Sequence, residues 1–172
     1  NIHVDATDDL KFLATDGSSV DLYNSDGDFI QTIYSGTTIT GFDAFPDKRT
    51  IVISDVTAFK LVSLAGKIIK TISNTSGYTY PAVSPCGTKI ACVSVSGIII
   101  INLDGEQIGT ASATGVNPKW SSDGKYLFYN ENTTNINGVS INNLSNVKYS
   151  LSVGSSFFDL SDLILTSTSR SC

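Results

Sequence analysis

The sequence predicts an all-β protein assembled from repeated four-stranded units. Three observations carry this reading. Short runs rich in Ile, Val, Thr, Tyr and Phe alternate with clusters of Gly, Pro, Asp and Asn, the pattern of strands punctuated by tight turns. No stretch keeps a helical period beyond two turns; "DLSDLILTS" from Asp159 could open a helix, but its alignment with the repeat argues for strands. Two separate columns of residues also recur at nearly constant spacing, the mark of a structural repeat.

The first column is the small residue closing a polar turn. Gly27 closes "YNSDGD", Gly66 "VSLAGK", Gly105 "INLDGE" and Asn146 "INNLSN", at spacings of 39, 39 and 41. The second column opens each unit: Asp5 in "VDATDD", Asp43 in "FDAFPD", Pro81 in "PAVSPCG" and Pro118 in "PKWSSDG", spaced 38, 38 and 37. Together they define repeats over approximately 1–38, 39–77, 78–115 and 116–154, and a half repeat over 155–172, within one domain, 1–172.

Taken in order, the first and second units are degenerate: "DATDDLKFLAT" and "DAFPDKRTIVIS" keep the rhythm and lose the Trp. The third parses fully. "TYPAVS" leads into the turn "PCGT", "KIACVSV" into a bend at Ser96-Gly97, "IIIINL" into the turn "DGE", and "QIGTAS" into a Gly-bearing link. Glycine supplies the positive φ that such hairpins demand, and Asp or Asn tolerates it. In the fourth unit, "NPKWSSDGKYLFYN" gives the first two strands, with Asp123-Gly124 as their turn. The last stretch, "SSFFDLSDLILTSTSRSC", repeats only the first half of a unit.

The run "IIIINL" does not alternate apolar with polar, so its strand is expected to be buried on both faces. Four-stranded units of about 40 residues with such strands predict sheets stacked face to face, as in a β-propeller. The expected architecture is four four-stranded blades plus a C-terminal half blade. Ring closure by shared terminal strands is not obvious, because the first unit already reads as complete.

The residues now carry a resemblance. "NPKWSSDGKYLFY" resembles the blade signature of TolB-like propellers, relatives of WD-repeat proteins; "YPAVSPCGTKIACVS" is similar, with Val83 for Trp and Cys86 for Asp. The likeness covers residues 78–130 as motif and nearly the whole chain as rhythm. It implies a propeller fold and, commonly, binding of proteins or peptides. It carries no catalytic residue set.

Composition narrows the function. At 172 residues the chain can bury roughly 70% of its unfolded surface, so a core needs no metal or disulfide staple. Charged residues make up 16%, below the usual value of about 25%, and Ser and Thr fill much of the surface, which suits an extracellular or cell-surface protein. The net charge of −5 gives no cationic footprint for nucleic acid. No run approaches the roughly 20 apolar residues of a membrane helix, so no membrane insertion is expected. A chain that begins at Asn1 and contains no Met is expected to have been trimmed after secretion.

Candidate chemistry is sparse. His3, the single histidine, would have to serve any Ser-His-Asp or Cys-His nucleophile, and there is no GxSxG elbow. "NSDGD", Asn24 to Asp28, has part of a calcium loop but lacks the distal Glu and falls in the hairpin column. Asp5, Asp8, Asp9 and Asp16 read as solvated turn residues rather than a cation site. Glu106 and Glu131 are the only glutamates, both in turns or loops, which does not suit a glycosidase carboxylate pair. No cysteine sits in a CxxC pair, so no zinc site is expected. Trp120, Tyr126, Phe128 and Tyr129 fit an inter-blade core better than a stacking platform for ligands.

The sequence thus leads us to expect a non-enzymatic, secreted or surface propeller without catalytic residues, metal or cofactor, acting as a structural or protein-interaction module. Asn74, Asn132 and Asn143 head glycosylation sequons. Protein partners are expected, with self-association head to tail into a ring or filament. The assembly face is placed on the apolar tail at Phe157, Phe158 and Leu160, and Cys86 and Cys172 are the disulfide candidates. The alternatives are a ligand-binding propeller for glycan or peptide, and a propeller fragment of a larger hydrolase.

Overall fold

The computed structural model describes the backbone of residues 2–5 and all atoms of residues 11–73, 75, 77–132 and 134–152. Sixteen strands form four antiparallel meanders. The first sheet is β1 (Ile2–Asp5), β2 (Lys11–Thr15), β3 (Ser19–Tyr23) and β4 (Phe29–Ser35). The second is β5 (Ile39–Ala44), β6 (Thr50–Asp55), β7 (Phe59–Ser63) and β8 (Ile68–Ile72). The third is β9 (Thr79–Val83), β10 (Lys89–Ser94), β11 (Gly97–Asn102) and β12 (Gln107–Ser112). The fourth is β13 (Val116–Trp120), β14 (Tyr126–Asn130), β15 (Asn135–Ser140) and β16 (Asn143–Ser152). The described residues contain no helix. The expected C-terminal half blade lies outside them.

The turns show why the repeat is visible in the sequence. Between the third and fourth strands, the N–H groups of Gly27, Gly66 and Gly105 donate to the carbonyls of Asn24, Ser63 and Asn102. All three glycines have positive φ, which costs a residue without Cβ nothing. The side chains of Asn24 and Asn102 then accept two backbone N–H groups each, holding the turn from outside. Between the first and second strands, Lys48, Gly87 and Gly124 take the matching positive-φ position. They donate to Phe45, Ser84 and Ser121. Between the second and third strands, Asp16 and Asp55 each accept two backbone N–H groups.

This register corrects two expected columns. Asn146 does not close a turn: it lies inside β16, and the preceding hairpin turns at Ile141-Asn142. The four extra residues of β16 are absorbed by register shifts on either side of Val139. Pro81 and Pro118 correspond to Phe42 rather than Asp43, because each lies three residues before the N–H that opens its turn (Phe45, Ser84, Ser121).

The chain divides into two compact units, Asn1–Pro81 and Ala82–Cys172. In the first, Leu13, Val20 and Leu22 pack with Ile51, Ile53 and Val62, so alternate residues of one sheet meet those of the next. In the second, Ala91, Ile98 and Ile100 pack with Leu127, Tyr129 and Val139. The run Ile98 to Ile101 is at most 1% exposed, as its continuous apolar pattern predicts. Burying each such side chain contributes roughly 2 kcal/mol.

Candidate functional site

Each unit holds its two sheets together with a carboxylate as well as with apolar packing. Asp55, at the end of β6, is 4% exposed. Its Oδ1 accepts the Thr57 and Ala58 N–H groups and the Thr57 hydroxyl at 2.8, 3.2 and 2.5 Å. Its Oδ2 accepts the Tyr34 hydroxyl from β4 at 2.5 Å and pairs with Lys60 Nζ. Burial pushes this carboxyl's pKa up. The hydrogen bonds from Lys60, Thr57 and Tyr34 outweigh that and hold it well below the usual carboxylate range. Glu131 repeats the device in the second unit, accepting the Ser112 hydroxyl at 3.0 Å and the Thr114 hydroxyl. Tyr34 and Ser112 are matching positions, each ten residues after the turn asparagine, Asn24 or Asn102. Asp55 stays ionised and fully engaged, so it is a clasp and not a proton shuttle.

A second repeated feature is a bulge in the first strand. Register shifts occur between Ile39 and Gly41 and between Val116 and Lys119. At the matching positions, Tyr80 and Asn117 have φ of 50° and 53°. In Gly41, a Cβ would lie 3.3 Å from the Tyr80 Cα. Side chains are rarely held in this backbone region unless surrounding structure imposes it.

The feature best suited to recognition is a pair of aromatic sheet faces. In the fourth sheet Leu127 and Tyr129 point into the core, so Tyr126 and Phe128 point the other way. This corrects the expectation that all four aromatics of this stretch form inter-blade core: Tyr129 is buried and Trp120 donates Nε1–H to Ala82 O at 2.9 Å, whereas Tyr126 and Phe128 are half-buried on the opposite face. There they meet Tyr149 of β16, with ring centroids 5.3 and 6.0 Å away. Gly138, between Phe128 and Tyr149, makes this possible. A Cβ there would lie 2.7 Å from Phe128 Cε1 and 3.2 Å from Tyr149 Cδ2. Lys148 Nζ donates to the Tyr126 hydroxyl at 2.9 Å and stands 5.0 Å from the Tyr126 ring centroid. The ammonium hydrogen bond lowers the Tyr126 pKa and raises that of Lys148.

The first sheet has a counterpart. Phe12 stacks on Tyr23 at 5.2 Å, and Tyr23 meets Phe29 edge-on at 6.0 Å. These residues alternate with Leu13, Val20 and Leu22, so they occupy the face away from the second sheet. Asp21 shares that face, and its Oδ1 is buried without a hydrogen-bond partner among the described residues.

The sequence-predicted sites fall as follows. Asn132 is exposed, and its Oδ1 accepts the Thr134 N–H, the Thr134 hydroxyl and the Asn135 N–H, each at 2.9 Å. Asn143 is exposed at the start of β16; Asn74 lies outside the described residues. Cys86 is half-buried in the β9–β10 turn and disulfide-bonded, while Cys92 is a buried free thiol whose pKa burial pushes up to about 12. Cys172, Phe157, Phe158 and Leu160 lie outside the described residues. His3 pairs with Leu13 in the β1–β2 ladder. Glu106 accepts the Asn102 side-chain amide in its hairpin. Among the described residues no group of three His, Cys, Asp or Glu side chains forms a cation site. Among the described residues no helix is long and apolar enough to cross a membrane. Sequence reasoning missed Phe12, Tyr23, Tyr149 and Lys148; aromatic residues at every second strand position were the available signal.

Among solved structures, a chain of the mitotic checkpoint complex superposes with a TM-score of 0.68 at 13% identity, over 86% of this chain and 48% of its own. A TolB from Agrobacterium tumefaciens superposes with a TM-score of 0.68 at 16% identity, over 87% of this chain and 59% of its own. Both neighbours are β-propeller proteins. The chain has a β-propeller fold. Its four sheets are blades, and the WD- and TolB-like rhythm of the sequence is the rhythm of those blades. At these identities the likeness is one of fold. The chain spans between about half and three-fifths of the length of these propellers. No family model and no curated protein matches it.

Proposed function

We propose that the chain is a non-enzymatic protein-interaction propeller, acting outside the cell or on its surface, that self-associates head to tail. The observation that carries this reading is the pair of aromatic sheet faces. Apolar surface of this kind, bordered by charge, suits protein recognition. Phe29, Tyr149 and Leu151 are 58, 45 and 54% exposed, and among the described residues no second sheet of their own unit packs on that face. Asp55, Glu106 and Glu131 are each engaged in a turn or a clasp. Light scattering on the purified chain tests the reading: particles larger than one chain are expected, and a monomer at every concentration overturns self-association.

Secretion is supported by the exposed Asn132 of a glycosylation sequon, whose side-chain oxygen is held by Thr134. Material from the native source is expected to lose mass on glycosidase treatment; an unchanged mass would remove this support.

A second reading, a glycan-binding propeller, is favoured by the flat rings laid across Gly138. Retention on a glycan column by a monomeric protein would put it first.

A further inference from the structure

The two aromatic faces complement each other, and we propose that they are the two halves of one interface: the fourth-blade face of one copy docks on the first-blade face of a second copy. This rests on the self-association reading and names its contact surface.

The faces match in kind. Each is the side of its blade opposite the packed core, and each carries three aromatic rings joined through a central tyrosine, Tyr23 or Tyr149. Both are ordered before any partner arrives. On the fourth blade the missing Cβ of Gly138 lets Phe128 and Tyr149 lie against the strand, and contacts to both neighbours hold Tyr149. Rings already fixed lose little rotamer freedom on docking, so more of the apolar burial is retained as affinity.

The faces are opposite in charge. Between residues 11 and 35 the first blade has four aspartates, Asp16, Asp21, Asp26 and Asp28, against Lys11. Between 116 and 152 the fourth blade has Lys119, Lys125 and Lys148 against Asp123 and Glu131. The two faces themselves carry the sharpest contrast. Lys148 is exposed beside the Tyr126 and Tyr149 rings. Asp21 lies on the same face as Phe12 and Tyr23 and is half-buried, so its carboxylate is the charge that an ammonium at the rim of that face would meet. A fourth-blade face meeting a copy of itself would instead oppose Lys148 to Lys148. Charge therefore selects a head-to-tail contact over a self-complementary one.

The test uses the full chain and two charge reversals. Lys148→Glu and Asp21→Lys are each expected to weaken self-association by about tenfold or more, measured by sedimentation across a concentration series. Mixed in equal amounts, the two variants are expected to associate as the wild type does, because each reversed face then meets its complement. Recovery on mixing also shows that both variants are folded. Should Asp21→Lys fail to fold, Asp21→Asn replaces it, and Lys148→Glu is expected to weaken association less in that background than in the wild type. Wild-type association that neither reversal weakens overturns this interface while leaving self-association standing. Weakened variants that do not recover on mixing overturn it as well. A monomeric wild type, with or without glycan binding, overturns both.

Discussion

Lys48, Tyr80 and Asn117 are the described residues other than glycine with positive φ. The repeat explains Lys48, which stands where the third and fourth blades have the positive-φ glycines Gly87 and Gly124; Tyr80 and Asn117 share their conformation with each other but not with Gly41 of the second blade. At the turn, then, the backbone conformation is a property of the blade, and the side chain is what each blade tolerates there. Gly97 is a site of no tolerance. Its φ is 91°, and a Cβ would lie 2.1 Å from the Ser112 carbonyl oxygen, a backbone atom that cannot swing aside. Gly97→Ala is expected to destabilise the protein by at least about 2 kcal/mol in a denaturant titration. A loss within experimental error would mean that the β10–β11 turn relaxes freely.

At the level of the strand, apolar residues fall into two classes that composition alone does not separate. Ile100 is 1% exposed in β11, whereas Ile69 is 55% exposed in β8, the last strand of its blade. Ile100→Asp is expected to abolish folding, since a carboxylate there is buried without a partner and costs several kcal/mol. Ile69→Asp is expected to change stability by no more than about 0.5 kcal/mol. Circular dichroism of both purified variants checks the contrast. The third-blade core was legible because "IIIINL" breaks alternation, which only a strand covered on both sides permits. The turn glycines were legible because positive φ restricts residue choice. The aromatic faces were not. Alternation in "KYLFYN" separates Tyr126 and Phe128 from Leu127 and Tyr129, but it does not say which set has a neighbouring sheet. Asn146 misled for a related reason. Its spacing followed the column, but the fourth hairpin is tight and its surplus residues are taken up by two register shifts of β16 against β15.

Across the whole molecule, the titratable groups divide into two sets that bound the pH range of stability. Asp16, Asp47, Asp55 and Asp123 have lowered pKa values in the folded chain. For Asp16 the backbone N–H groups of Ser18 and Ser19 are the main cause, holding it at about 2. In the unfolded chain these carboxyls titrate near about 3.9, so below that the unfolded state takes up protons first. Their contribution is complete above about pH 4 and is lost as the pH falls through the folded values. Cys92 acts at the other end. Burial raises its thiol to about 12, against about 8.5 unfolded. Its contribution is complete below about pH 8.5 and is lost as the pH rises, by up to about 1.4 kcal/mol per pH unit. His3 is the only histidine, so few groups titrate in between. Urea midpoints are expected to be flat from about pH 5 to 8, to fall below about pH 4, and to fall again above about pH 8.5. Two variants separate the limbs. Asp55→Asn, which leaves Lys60 and Tyr34 with a neutral partner, is expected to cost about 3 kcal/mol at neutral pH and to flatten the acid limb. Cys92→Ala is expected to flatten the alkaline limb at its onset and to leave the acid limb unchanged. An alkaline limb that begins at the same pH in Cys92→Ala would assign it to other groups, with Lys60 and Lys148, whose pKa values are raised, titrating only at higher pH.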